Sequence, residues 1–173
     1  MFCYDNPPGT KVISGSQDSI GIVFPGLAKA YYEGNYWPTE IEHVVDESLL
    51  RFVESSLYLV SLGPRYSEFD LLADTRFSRD LAKALADATD SCWDAILRQD
   101  VAGFGRFLRE GFDAQVAMFP HMMNDRVAQL IDEYRDQALG WKLSGAGGGG
   151  YLVLVSDKPL HDATRVLARR ESE

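Results

Sequence analysis

Cysteine is scarce in this chain. Its 173 residues hold only Cys3 and Cys92, far apart and without CxxC spacing, which excludes a disulfide framework and a paired-thiol metal site. Histidine is nearly as rare. His43, His121 and His161 stand isolated from one another and from cysteine, so no zinc spacing exists and no metal site is expected. Long apolar runs are missing as well: the longest, Tyr151-Leu-Val-Leu-Val155, is strand-sized, whereas a membrane span needs ~20 residues. No membrane partner is expected. Met1 leads into a polar Asp-Asn-Pro-Pro-Gly turn rather than a signal peptide, and with so few cysteines this predicts a reducing, cytoplasmic setting. Basic charge is also short, at 17 Lys and Arg against 26 acids for a net charge of −9. Such a surface repels phosphate backbones, so nucleic acid is excluded as a partner. The deficit is steepest early. Residues 1–50 carry only Lys11 and Lys29 against seven acids.

What is present is ordinary globular material, with 46% hydrophobic and 25% charged residues, enough for one core. The length is short for an enzyme that encloses two substrates between two lobes of ~100–150 residues each. Residues 1–16 are rich in Pro, Gly and Ser towards their end and read as a loop or linker. Ser16-Gln17-Asp18 then opens a short helix stopped by Pro25-Gly26. Residues 27–33 and 39–45 read as two strands joined by a turn, with Tyr31, Tyr32, Tyr36 and Trp37 clustered there. Aromatics of this kind can stack on a sugar ring, but in a hairpin they more often cover a sheet face. Asp46 begins an amphipathic helix, and a buried strand from Leu57 closes at Gly63-Pro64. Three helices follow: one from Ala82 to Leu97, one from Phe104 that ends before Pro120, and one across Val127 to Tyr134. Residues 139–143 and 151–155 read as closing strands, and residues 160–169 as a terminal helix. The expected fold class is α+β, an antiparallel sheet packed on one face by helices.

The most informative segment separates those closing strands. Lys142-Leu-Ser-Gly-Ala-Gly-Gly-Gly-Gly150 holds five glycines, which give little packing and lose much backbone entropy on folding. Successive N–H groups unobstructed by Cβ atoms can form a concave anion site. Gly145, Gly147 and Gly150 match G-x-G-x-x-G, yet that fingerprint precedes a helix, and here a strand follows. Only 23 residues remain after Gly150, too few for a dinucleotide-binding unit. A tight connection between adjacent strands is the alternative reading.

The segment resembles the third, C-terminal motif of the GHMP small-molecule kinases, which include galacto-, homoserine, mevalonate and phosphomevalonate kinases. Gly15-Ser-Gln-Asp-Ser19, followed by Pro25-Gly26, is similar to the G-x-Q-D-Q and G-G segments of the sugar branch, the fucokinase-like and D-glycero-D-manno-heptose 7-phosphate kinase-like proteins. Gly63-Pro-Arg-Tyr-Ser67 stands where that branch carries Arg-x-Ser, and Phe112-Asp-Ala-Gln-Val-Ala-Met-Phe-Pro120 resembles the helix before its last strand pair. Ser19 and Pro25 depart from the branch pattern, which leaves the sugar open. The family's nucleotide loop, P-x-x-x-G-L-G-S-S-A, has no counterpart before Asp18. The resemblance therefore implies a ferredoxin-like C-terminal domain over residues 17–173 of an ATP-dependent sugar kinase, inactive alone. Its partners would be a sugar or sugar phosphate and a missing N-terminal lobe, or a second copy meeting it through the exposed lobe interface. ATP and Mg2+ are implied for the complete kinase, with neither expected to bind tightly to this chain. The alternative is a non-catalytic interaction module that keeps this fold.

Phosphoryl transfer needs an in-line hydroxyl, charge stabilisation and a group that orients or deprotonates the hydroxyl. Read from the residues alone, Asp18 is a helix N-terminal acid, a common use worth ~0.3–1 kcal/mol. The resemblance instead implies a catalytic role for Asp18 at the sugar hydroxyl, with Gln17 beside it binding substrate. Ser144, Gly145, Ala146, Gly147 and Gly148 would form the phosphate loop. Arg65, after a strand and a Gly-Pro turn, suits a phosphate- or sugar-binding guanidinium, and an ion pair with Glu68 or Asp70 suits it equally. Lys142 flanks the loop and is expected to be solvated at a strand edge. Cys92 beside Trp93 reads as helix core, and Met118, Met122 and Met123 as packing for a helix end.

Overall fold

A computed structural model describes residues 2–11, 13–64, 70, 72–145 and 147–170. The chain divides into two compact units, Met1–Leu50 with Leu167–Glu173, and Arg51–Val166.

The first unit opens on a single helical turn, α1 (Phe2–Asp5), followed by irregular chain and then α2 (Gln17–Val23). Strands β1 (Leu27–Tyr31) and β2 (Glu40–Val44) pair antiparallel, with Leu27 opposite Val44 and Tyr31 opposite Glu40. Both the helix stop at Pro25-Gly26 and the hairpin follow the sequence pattern. The aromatics depart from it: Tyr32, Tyr36 and Trp37 are exposed rather than laid over a sheet face. Two strands alone offer little surface to cover, and Tyr36 and Trp37 lie in the connection beyond the strand ends. The unit boundary falls within α3 (Glu47–Ser56).

The second unit is built on a four-stranded antiparallel sheet. Strands β3 (Leu57–Gly63), β4 (Gly140–Leu143), β5 (Gly150–Val155) and β6 (Thr164–Arg165) lie in the spatial order β4-β5-β3-β6. Between β3 and β4 the chain forms α4 (Arg79–Leu97), α5 (Val101–Met118), a 3-10 turn (Pro120–Met122) and α6 (Asp125–Tyr134). This is the ferredoxin-like strand order with one crossover made of three helices. Each helix starts where a side chain satisfies an otherwise unpaired amide. Ser78 accepts from Leu81 N–H at 3.1 Å, Asp100 from Gly103 N–H at 2.9 Å and Asn124 from Val127 N–H at 2.9 Å, each worth ~1 kcal/mol.

Strand alternation sorts the core. Tyr58 lies opposite Leu154, Val60 opposite Leu152, Trp141 opposite Leu154 and Leu143 opposite Leu152, so these side chains share one face. They are buried with Phe112 of α5 and with Val127, Leu130, Ile131 and Tyr134 of α6. At ~1.5–3 kcal/mol for each large side chain removed from water, this face is the main source of the unit's stability. A smaller cluster joins Val155 of β5 to Ala95 of α4 and Phe104 of α5, with Phe52, Leu57 and Cys92 against it. The two are locked at β4 by glycine: a Cβ on Gly140 would sit 1.8 Å from the Gly105 carbonyl oxygen of α5. Only two glycines let helix and strand backbones meet this closely.

One expected element is absent. Residues 160–169 form no helix; instead Thr164 pairs with Leu59, Arg165 with Tyr58, and Val166 N–H donates to Leu57 O at 3.2 Å. A helix there would leave the β3 edge without hydrogen-bond partners, and the sheet ladder wins over local periodicity.

Candidate functional site

The glycine run is the turn of the β4–β5 hairpin. Ser144 N–H donates to Tyr151 O at 2.9 Å at its base, and Gly150 lies opposite Gly63 at the end of β3, beside a register shift at Ser61 and Gly63. Five glycines of the run take positive φ: Gly145 (79°), Gly147 (83°), Gly148 (73°), Gly149 (157°) and Gly150 (86°). Residues with a Cβ rarely adopt this region. The reading as a strand connection is therefore right topologically, but a two-residue hairpin needs far fewer left-handed positions.

Burial divides the loop. Ser144 and Gly145 are exposed, whereas Gly147 and Gly148 are buried. A Cβ on Gly147 would meet Leu143 Cδ1 at 2.9 Å and approach the Met122 backbone at 3.7 Å. The 3-10 turn after α5 thus forms the floor of the loop. Met118 and Met122 are buried as expected for a helix-end packing, while Met123 is partly exposed. On the outer side of that turn, Asp74, Arg76, Pro120, His121, Met123 and Asn124 line an open groove of about 360 Å³. His121 Nε2 lies 3.1 Å from Asp74 Oδ2 there, a pairing across 47 residues that spacing does not signal.

Lys142 departs from expectation. Although β4 is an edge strand, the ammonium is largely buried, and burial pulls its pKa below the ordinary lysine value. The Cys92 thiol is its electrostatic neighbour and is pushed up to about 11 by its own burial, an effect that the Lys142 charge opposes. The cause is strand alternation: Trp141 and Leu143 take the face of the larger core, so Lys142 is turned with Gly140 to the opposite face, where Gly105 of α5 meets Gly140 and Cys92 of α4 is the lysine's electrostatic neighbour. A lysine held there supplies no solvated charge.

The other expected site residues belong to the first unit. Gln17 and Asp18 occupy the first turn of α2, both exposed. Ser16 is in the N-cap position but makes no capping hydrogen bond; its hydroxyl pairs instead with the Tyr32 hydroxyl at 2.8 Å. No sequence rule anticipates that contact. The structure thus gathers Ser144, Gly145, Gly147 and Gly148 in one loop of the second unit and Gln17 and Asp18 at one helix end of the first. Arg65 and Ala146 lie outside the described residues. Among the described residues, no group of three or more His, Cys, Asp or Glu side chains is arranged to hold a metal ion, and no helix is long and apolar enough to cross a membrane.

Comparison with known proteins bears on this geometry. Residues 94–171, which include the whole glycine loop, match a family model described as GHMP kinases C terminal. Over 166 residues the chain is 26% identical to an L-fucokinase/L-fucose-1-P guanylyltransferase of Bacteroides fragilis, an alignment that covers 84% of this chain and 16% of that protein. A crystal structure of mevalonate kinase superposes with a TM-score of 0.53 at 15% identity, over 68% of this chain and 37% of that one. This last likeness concerns the fold. The chain spans about a sixth of the fucokinase relative's length.

Proposed function

From the premise that the chain carries a GHMP kinase C-terminal domain, as its matching residues 94–171 indicate, we propose that it contributes to an ATP-dependent sugar or sugar-phosphate kinase. The observation that carries this reading is the loop at residues 144–150, with its succession of left-handed glycines inside the matched region. Successive peptide N–H groups in turns of this kind can form an anion-binding concavity, and Ser144 and Gly145 are exposed at the start of this one. The fucokinase relative supports a sugar as acceptor.

In this reading the acceptor hydroxyl attacks the γ-phosphorus of ATP. Its proton passes to the Asp18 carboxylate as the new O–P bond forms and the bond to the departing ADP breaks, and a phosphate group is the kind of ligand the glycine loop suits. Gln17 hydrogen-bonds the sugar beside Asp18. Arg65 contacts the sugar or its phosphate. ATP binds through a nucleotide loop that this chain does not contain before Asp18. The chain's contribution in this reading is acceptor and phosphate positioning.

The test is ADP release with L-fucose, galactose and heptose phosphates, using the 173-residue chain and the full reading frame that contains it. The full frame is expected to turn over one of these sugars and the chain alone to give little release. Robust turnover by the chain alone overturns the dependence on another segment, and no sugar-dependent release from either overturns the kinase reading. A second reading, a non-catalytic interaction module, draws on the exposed apolar side chains Ile22, Val23, Tyr36 and Trp37 of the first unit, which association would remove from water. Light scattering decides it. A concentration-dependent dimer with no kinase activity favours the module, and a monomer argues against it.

A further inference from the structure

The Ser16–Tyr32 contact is the place where an unexpected hydrogen bond meets the expected acceptor site. Serine before a helix ordinarily spends its hydroxyl on the amide two or three residues on. Ser16 does not: it is 2% exposed, makes no cap bond, and its Oγ lies 2.8 Å from the Tyr32 hydroxyl. The next two residues are Gln17 and Asp18. Tyr32 is therefore pinned by its tip next to the helix end that carries them, yet the residue remains 47% exposed. A buried anchor with an open ring is the arrangement of a stacking surface rather than of a core aromatic.

Its neighbour shows the contrast. The Tyr31 ring lies under Lys29 Nζ at 4.6 Å, and its hydroxyl donates to Glu42 Oε2 at 2.8 Å. Both of its binding capacities are used. Tyr32 is the first residue beyond β1, and its hydroxyl, not that of Tyr31, reaches Ser16 at the start of α2.

We propose that Tyr32 is a substrate-contacting residue of the acceptor site, its ring forming a platform for the apolar face of a pyranose and its bond to Ser16 holding that ring beside Gln17 and Asp18. A pyranose has one face dominated by C–H groups and a rim of hydroxyls. The face suits the ring, and the rim suits an amide and a carboxylate. A 6-deoxy sugar adds a methyl group that strengthens the apolar contact. This inference rests on the reading that Asp18 addresses a sugar hydroxyl.

The experiment is a titration of the 173-residue chain with L-fucose, followed by saturation-transfer NMR from protein to sugar, with Tyr32→Ala, Tyr32→Phe and Tyr31→Phe compared. Tyr32→Ala is expected to weaken binding roughly tenfold or more. Tyr32→Phe keeps the ring but frees it from Ser16, and a loss of only about threefold is expected. Tyr31→Phe leaves binding unchanged. Should Tyr32→Ala lose its circular dichroism signal, Tyr32→Leu replaces it as the ring-less variant, with the same expected loss. Absence of transfer to L-fucose from the unaltered chain, or binding that survives removal of the ring, overturns the proposal. The kinase reading is scored separately. If ADP release from the full reading frame falls with Asp18→Asn while KM for sugar is unchanged in Tyr32→Ala, the platform is wrong and the kinase reading stands.

Discussion

The two units of this chain differ in what holds their functional residues. In the second, the glycine loop rises from two paired strands, rests on Met122 and Leu143, and sits over a core in which Leu143, Leu152, Leu154 and Phe112 are fully buried. In the first, Asp18 stands on a seven-residue helix beside a two-stranded hairpin, with Ile22, Val23, Tyr36 and Trp37 in solvent. A seven-residue helix is marginal by itself. The glycine loop is thus a product of folding, whereas Gln17 and Asp18 depend on a few local contacts such as Ser16–Tyr32. Changes in the second unit should appear as lost stability and changes at Asp18 as lost chemistry.

The largest expected effect lies at the helix–strand contact. Gly140→Ala places a Cβ 1.8 Å from the Gly105 carbonyl, and neither backbone can retreat without breaking the β4–β5 ladder or the α5 helix. We expect a loss of about 3 kcal/mol, read as a lower urea midpoint. A value near zero would show that α5 and β4 are not rigidly packed and would erase the contrast between the units.

Next come two glycines of similar backbone and different surroundings. Gly145 and Gly147 have φ of 79° and 83°, so alanine at either one incurs left-handed strain of about 1 kcal/mol. Only Gly147 adds a clash, its Cβ meeting Leu143 Cδ1 at 2.9 Å, whereas nothing lies within 4 Å at Gly145. Gly147→Ala is expected to cost about 2 kcal/mol and Gly145→Ala about half of that. Equal losses would mean that the loop floor yields.

The division into two units is not visible in the amino-acid order, which reads as one domain over residues 17–173, but much of the element order is. The helix from Ser16-Gln17-Asp18, the aromatic hairpin and the strands on either side of the glycine run follow from stop signals and periodicity, because each is decided by neighbours in sequence. Where long-range pairing decides, local pattern fails. Leu160, Val166 and Leu167 are spaced for a helix, but the open edge of β3 takes Thr164 and Arg165 instead. Lys142 carries an edge-strand signature, yet the face it occupies is set by Trp141 and Leu143 filling the core. Ser16 carries a cap signature, and its hydroxyl goes to a tyrosine sixteen residues away.

Lys142 gives the next smaller effect. Removing a desolvated ammonium with Lys142→Met should stabilise the fold at neutral pH by about 1 kcal/mol. The pH dependence fixes the assignment. Because the folded value lies below the ordinary 10.5, the unfolded chain binds a proton that the folded chain lacks between the two values, and stability rises with pH through that window. Cys92 acts oppositely. Raised from 9.0 to about 11, its thiol keeps a proton that the unfolded chain loses, so stability falls between those values. Cys92→Ser should leave only the rising slope and Lys142→Met only the falling one, as read from urea midpoints across that range. Identical profiles in the two variants would show that neither group sets the slope.

Asp18→Asn should have the smallest effect on stability and so gives the sharpest test of the comparison. The side chain is exposed and makes no capping bond of its own, leaving only its favourable position in the first turn of α2, worth ~0.3 kcal/mol or a little more. The urea midpoint should barely move. In the full reading frame, however, an amide cannot accept the hydroxyl proton, and kcat should fall by roughly 10²–10⁴ with sugar KM little changed, because the amide keeps the shape and a hydrogen-bonding oxygen. A parallel loss of stability and turnover would make Asp18 a structural acid like any other at a helix start. A loss of turnover alone would support the role proposed for Asp18 at the acceptor hydroxyl.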